Sequence, residues 1–163
     1  YKRKSRLGKG AALRNLKLRM SRKLIYASGL LTCFGCELEL VRQDLCEAPR
    51  DAAECVTCLE RFVAKTPLEI LAMRFLAVPH LDDTAKKVFE AYNAFVALLN
   101  SKSDREYIKK LSLDATWEDG RYQEFHQHTR VFHEGLIELF FYKGKSKQSK
   151  KSLGELTRHY GVF

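Results

Sequence analysis

From Tyr122 to Leu139, the residues Tyr122, Phe125, Thr129, Phe132, Leu136 and Leu139 recur at alternating spacings of three and four, and Phe140 widens the row. A helix turning once every 3.6 residues puts all of them on one side, whereas a strand, whose side chains alternate faces, would scatter them. The pattern commits a long segment, about 121 to 142, to an amphipathic helix that needs apolar partners to cover it.

The rest of the chain supplies partners of the same kind. Leu13, Leu16, Met20, Leu24 and Ile25 begin a helical stripe near Ala11, and Ser21, Gly29 and Gly35 are its candidate interruptions. Residues 11 to 45 therefore read as one long helix or two consecutive ones. Asp51, with Glu54 three residues on, is placed to cap a helix carrying Cys55, Leu59, Phe62 and Val63. The strongest local signal is Thr66-Pro67-Leu68-Glu69. It sets a capping hydroxyl, a proline at the first helical position and a glutamate at the third. That helix should run to about Val78, before Pro79.

Asp82 or Asp83 opens a helix with Val88, Phe89, Tyr92, Phe95, Val96 and Leu99 on its apolar face. Ser103 with Glu106 reads as a further capping box leading to about Leu111, and 112 to 120 as a polar loop. Ser152 and Glu155 open a short last helix that Gly161 would end. Sustained period-2 runs are absent and there are only 3 prolines, which argues against a β-sandwich. The expected fold is all-α, a bundle of six or seven helices. Residues 1–10 form a basic N-terminal arm, and 11–163 a single helical domain with a lysine-rich loop at 143–151.

Charge is segregated. Of 29 Lys and Arg against 20 Asp and Glu, ten lie within residues 1 to 23 and five within 143 to 151, neither segment holding an acid. The remainder is thus net acidic, and the positive charge is concentrated in a way that favours a polyanionic partner. Both segments are nearly free of aromatic residues, which suits contact with nucleic-acid phosphates better than stacking on bases. The expected contacts are Arg3, Lys4, Arg6, Arg14, Arg19, Arg22 and Lys23, with Lys145, Lys150 and Lys151 in the loop. The expected partner is the RNA or DNA phosphate backbone, RNA foremost, within a larger protein or assembly.

The 5 cysteines include two C-x-x-C pairs, Cys33 with Cys36 and Cys55 with Cys58, eighteen residues apart. Four thiolates at such spacing can close a zinc tetrahedron, which would make this a zinc-stabilised protein-interaction module. The apolar surroundings of Cys33 and the place of Cys55 on a helical stripe favour core thiols and no cofactor instead.

On the last long helix, Arg121-Tyr122-Gln123-Glu124-Phe125-His126 sets an arginine ahead of a histidine. This pair resembles the Arg-x(4–6)-His motif of the HEPN ribonucleases, small all-helical domains that dimerise around it. The resemblance implies metal-independent RNA cleavage. His126 would assist attack by the ribose 2′-hydroxyl, and Arg121 would stabilise the phosphorane. Tyr122 departs from the polar residue usual there. No Walker loop, G-x-G-x-x-G, G-x-S-x-G or H-E-x-x-H occurs, so binding is the expected role and catalysis the alternative.

The longest uncharged stretch, Leu24 to Cys36, is too short to cross a bilayer and no signal peptide is visible. An intracellular location is expected, cytoplasmic by default, with an organellar address left open because a cleaved presequence leaves no trace. Tyr1 in place of methionine fits a processed chain or part of a longer polypeptide.

Overall fold

A computed structural model describes residues 10–35, 51–78, 80–142 and 153–160. Among them are seven α-helices and no strand: α1 (Ala11–Gly35), α2 (Ala52–Val63), α3 (Pro67–Leu76), α4 (Asp82–Asn100), α5 (Lys102–Lys110), α6 (Gly120–Phe141) and α7 (Leu153–Tyr160). A short 3₁₀ turn, Asp114–Trp117, lies between α5 and α6. The all-α expectation is met. The basic arm before Gly10, the lysine-rich loop and the Ser152 cap lie outside the described residues.

Local chemistry accounts for most of the helix starts. Thr66 and Glu69 close a capping box: the Glu69 backbone N–H donates to Thr66 Oγ1 at 3.3 Å, and the Thr66 N–H donates to Glu69 Oε2 at 2.6 Å. Those hydrogen bonds hold the Glu69 carboxyl below its ordinary pKa. Asp51 caps α2 by accepting from the Glu54 N–H at 2.9 Å. At α5 the expected cap shifts by two residues. Ser101, not Ser103, accepts from the N3 amide, that of Asp104. Both serines precede an acid three residues on, and only the backbone path decides which one stands outside the first turn. Asp119, within the segment read as a polar loop, caps α6 by accepting from the Tyr122 N–H at 2.7 Å.

The chain forms two compact units, one of the chain up to Lys23 with Lys86–Glu134, the other of Leu24–Ala85 with the chain from Gly135 onward. In the first unit Ala12, Leu13, Leu16, Leu98, Ile108 and Tyr122 make a buried cluster, with Leu99, Leu111 and Phe125 packed against it. Tyr92 extends the apolar interior by tilted ring contacts to Phe95 (6.0 Å) and Phe132 (6.1 Å). In the second unit Phe62, Ile70, Leu71, Phe75, Leu81, Leu139, Phe140, Leu153 and Leu156 are buried. Thr84 Oγ1 there donates to Glu138 Oε2 at 2.8 Å.

Several stripe residues face water instead. Ile25 is 63% exposed, and the stripe of α1 continues through Ala27 and Leu31. The buried line of α4 runs Val88, Ala91, Phe95 and Leu98, which leaves Val96 at its exposed margin. On the expected stripe of α2 Phe62 is buried, Cys55 and Leu59 are half-buried and Val63 is 75% exposed, so it is fully covered at one residue of four. In each case the stripe as read was wider than the neighbouring elements cover, which periodicity alone does not reveal.

Where α1 ends, a β-carbon added to Gly35 would stand 2.6 Å from the Phe62 ring. Gly35 is therefore the residue that lets α1 and the buried ring of α2 approach. We expect Gly35→Ala to destabilise the protein by about 1–3 kcal/mol through overpacking. Phe62→Leu in the same chain should recover part of that loss. Urea denaturation of the single and double variants checks this, and equal losses from Gly35→Ala with and without Phe62→Leu would contradict it.

Candidate nucleic-acid interface

The first unit carries a cationic face built from two helices. With 3.6 residues per turn, Asn15, Arg19, Arg22 and Lys23 occupy an arc of about 100° on α1, with Arg14 about 80° outside it. Arg14, Arg19 and Arg22 are exposed and Lys23 is half-buried. On α6, Tyr122, His126, Arg130 and His133 share an arc of about 80°. Both histidines are half-buried.

Contacts and charge effects join the two arcs. The Tyr122 ring stacks on His126 at 6.1 Å between centroids, with 14° between planes. Its hydroxyl faces the Asn15 side chain, whose Oδ1 accepts from Arg19 Nε at 3.2 Å. Desolvation, followed by the charges of Arg19, Arg130 and Lys23, lowers the pKa of His126. Desolvation and then Lys23 lower that of His133, while Glu134 acts the other way and Arg19 adds to the lowering. Burial, followed by the Arg19 charge, pushes the Lys23 ammonium below its ordinary value. Charge and half-burial thus converge on one surface, and Glu134, which meets Arg130 at 3.7 Å, is the acid that moderates it.

The expected contacts divide accordingly. Arg19 and Lys23 are brought together with the α6 residues, and Arg22 lies on the same arc of α1. Arg14 stands to one side. Arg3, Lys4, Arg6, Lys145, Lys150 and Lys151 lie outside the described residues. His126, Arg130 and His133 were not read as part of a basic surface. Their spacings of four and three on one helix were the available signal, but nothing in the sequence pairs that face with α1.

Arg121, the partner of His126 in the HEPN-like motif, is engaged elsewhere. It ion-pairs with Asp104, and its guanidinium lies 5.0 Å from the centroid of the Tyr107 ring. The Tyr107 hydroxyl in turn donates to Asp119 Oδ2. That hydrogen bond, with the one from the Tyr122 amide, holds the Asp119 carboxyl below its ordinary pKa, and the same contact raises that of Tyr107. Five residues along a helix turn Arg121 about 140° away from His126, so α6 presents them to different sides.

The thiols also depart from expectation. Cys33 is exposed and Cys55 half-buried, so neither is a fully buried core thiol. Cys33 falls on the uncovered side of α1, and α2 is covered chiefly at Phe62. Cys36 and the side chain of Cys58 lie outside what the structure describes. Among the described residues, no group of three or more His, Cys, Asp or Glu side chains is placed to hold a metal ion. Likewise, no described helix is long and apolar enough to cross a membrane. A shallow apolar groove on α2, lined by Val56, Leu59, Glu60, Val63 and Ala64, is the other surface feature of note.

What fold and site define together is an all-helical protein with a two-helix cationic face. No family model matches the chain, and no curated protein or solved structure matches it either.

The histidines make a prediction about stability. Their folded pKa values lie below the ordinary histidine value, so the unfolded chain binds more protons than the folded one as pH falls below about 6.5. Their contribution is therefore fully present above that pH and is lost as pH falls from there through the folded pKa values. The urea midpoint should drop between about pH 7.5 and 5.5. A His126→Gln/His133→Gln variant should show a shallower drop, and an unchanged profile would contradict the assignment.

Proposed function

We propose that this chain is a non-enzymatic nucleic-acid-binding or assembly protein that holds the phosphate backbone, RNA foremost, on the α1–α6 face. The observation that carries this reading is the convergence of Arg19, Lys23, Arg130, His126 and His133 on one surface. Burial first, and then the neighbouring positive charges, depress the pKa values of Lys23 and both histidines, and a polyanion would offset the charge part of that cost. Tyr122, the ring stacked on His126, is only 3% exposed and so offers no face to a base. That favours backbone contact over base stacking. In sequence, Arg3, Lys4 and Arg6 precede α1 and belong to the same acid-free basic segment as Arg14, Arg19, Arg22 and Lys23.

Fluorescence anisotropy with labelled RNA and DNA duplexes across a salt series tests the reading. Affinity should fall steeply with salt. Arg19→Gln/Lys23→Gln should weaken binding at least ~10-fold and reduce the log–log salt slope by about two phosphate contacts. Wild-type binding with no salt dependence, or an unchanged slope in the variant, would overturn it.

A further inference from the structure

His126 and His133 sit on the cationic face without any part in a fixed-charge contact, and their surroundings give them one. Their neighbours from α1 are Arg19 and Lys23, and from α6 Arg130 and Glu134, with the Tyr122 ring stacked on His126. Three of the four charged neighbours are positive. The negative one, Glu134, already meets Arg130 at 3.7 Å. A proton added to either imidazole is therefore opposed in the free protein by partial burial and then by positive charges, and a bound anion would offset the charge part.

Resting on the backbone-binding reading above, we propose that the α1–α6 face is a proton-linked phosphodiester site. Seating the backbone protonates His126 and His133, so binding strengthens as pH falls. Neutral imidazoles contribute N–H donors to phosphate oxygens; protonated ones contribute charge-assisted donors, which are roughly twice as strong. The two histidines lie two helical turns apart, about 10 Å along α6. The face is therefore suited to a run of phosphates rather than one. That separation also suits them as binding groups, whereas an acid–base pair must converge on a single reacting phosphorus.

The linkage has a definite sign. A phosphate close to an imidazole favours its charged form and raises its pKa in the complex above that in the free protein. Each proton fully taken up on binding changes affinity by about tenfold per pH unit. Because titration is spread over the window between free and bound values, the expected gain for wild type is about tenfold between pH 8 and pH 6. The remaining histidines of the chain, His80, His128 and His159, stay in place in the variant below and act as its internal control.

The experiment is anisotropy with a labelled RNA duplex, and a DNA duplex in parallel, at constant ionic strength from pH 8 to pH 6. It uses the full chain and its His126→Gln/His133→Gln variant. Wild type should gain affinity as pH falls, and the variant, whatever its affinity at pH 8, should lose most of that gain. An equal gain in both proteins would place the linked protons elsewhere and overturn the proposal while leaving backbone binding intact. Absence of binding by wild type at every pH would overturn both readings. Imidazole NMR titration of the wild-type protein gives a readout that does not depend on the variant's folding. His126 and His133 should titrate at higher pH with duplex bound than without, and unshifted midpoints in a saturated complex would also overturn the proposal.

Discussion

Tyr122 joins the two halves of the cationic face. Its ring is buried with Leu13, Leu16, Leu98 and Ile108, its hydroxyl meets Asn15, and its outer side stacks on His126. A tyrosine can do all of this because its body is apolar and its tip polar. Burial of the ring belongs to the hydrophobic contact of α1 with α6. Asn15 heads the row that continues, one turn at a time, through Arg19 and Lys23. Once Tyr122 is seated, the positions of the basic residues relative to His126 and His133 follow from helical geometry.

That arrangement sets one energy against another. The apolar cluster gains roughly 1.5–3 kcal/mol for each large side chain it buries, and the gain is insensitive to pH. Against it stand several positive groups on one partly desolvated face, where burial and then their mutual repulsion lower the pKa values of Lys23, His126 and His133. Elsewhere in the unit the charges are arranged to satisfy one another. Arg121 pairs with Asp104 and lies over Tyr107, Tyr107 donates to Asp119, and Asp119 caps α6. One end of α6 is thus neutralised and tied down, while the face beyond it keeps an excess of positive charge. The contrast within one helix is what supports the proposed polyanion-binding role of that face.

Elements with strong local chemistry were legible from the residues. Thr66-Pro67-Leu68-Glu69 contains every group its capping box needs, and the long stripe from Tyr122 to Phe140 leaves no other regular conformation that buries it. Features that depend on choice among equivalents were less so. Ser101 and Ser103 are interchangeable as caps until the path of the backbone is known. Ile25, Val63 and Val96 lie on apolar stripes that neighbouring helices do not fully cover. The C-x-x-C spacing gave no guide to the surroundings of Cys33, since spacing does not say which side of a helix a neighbour will occupy.

The sequence by itself determined the helical class, most of the helix boundaries and the concentration of positive charge in the first 23 residues, because each rests on interactions within a turn or two of chain. It also placed Arg19 and Lys23 on one arc of α1, and His126, Arg130 and His133 on one arc of α6. Only the tertiary structure decided that the two arcs meet and that Arg121 is drawn off to Asp104 and Tyr107. The reason is physical: the charges joined on this face come from residues about a hundred positions apart. They are brought together by the burial of Leu13, Leu16 and Tyr122 in one core, and that choice of partner is written in no local pattern.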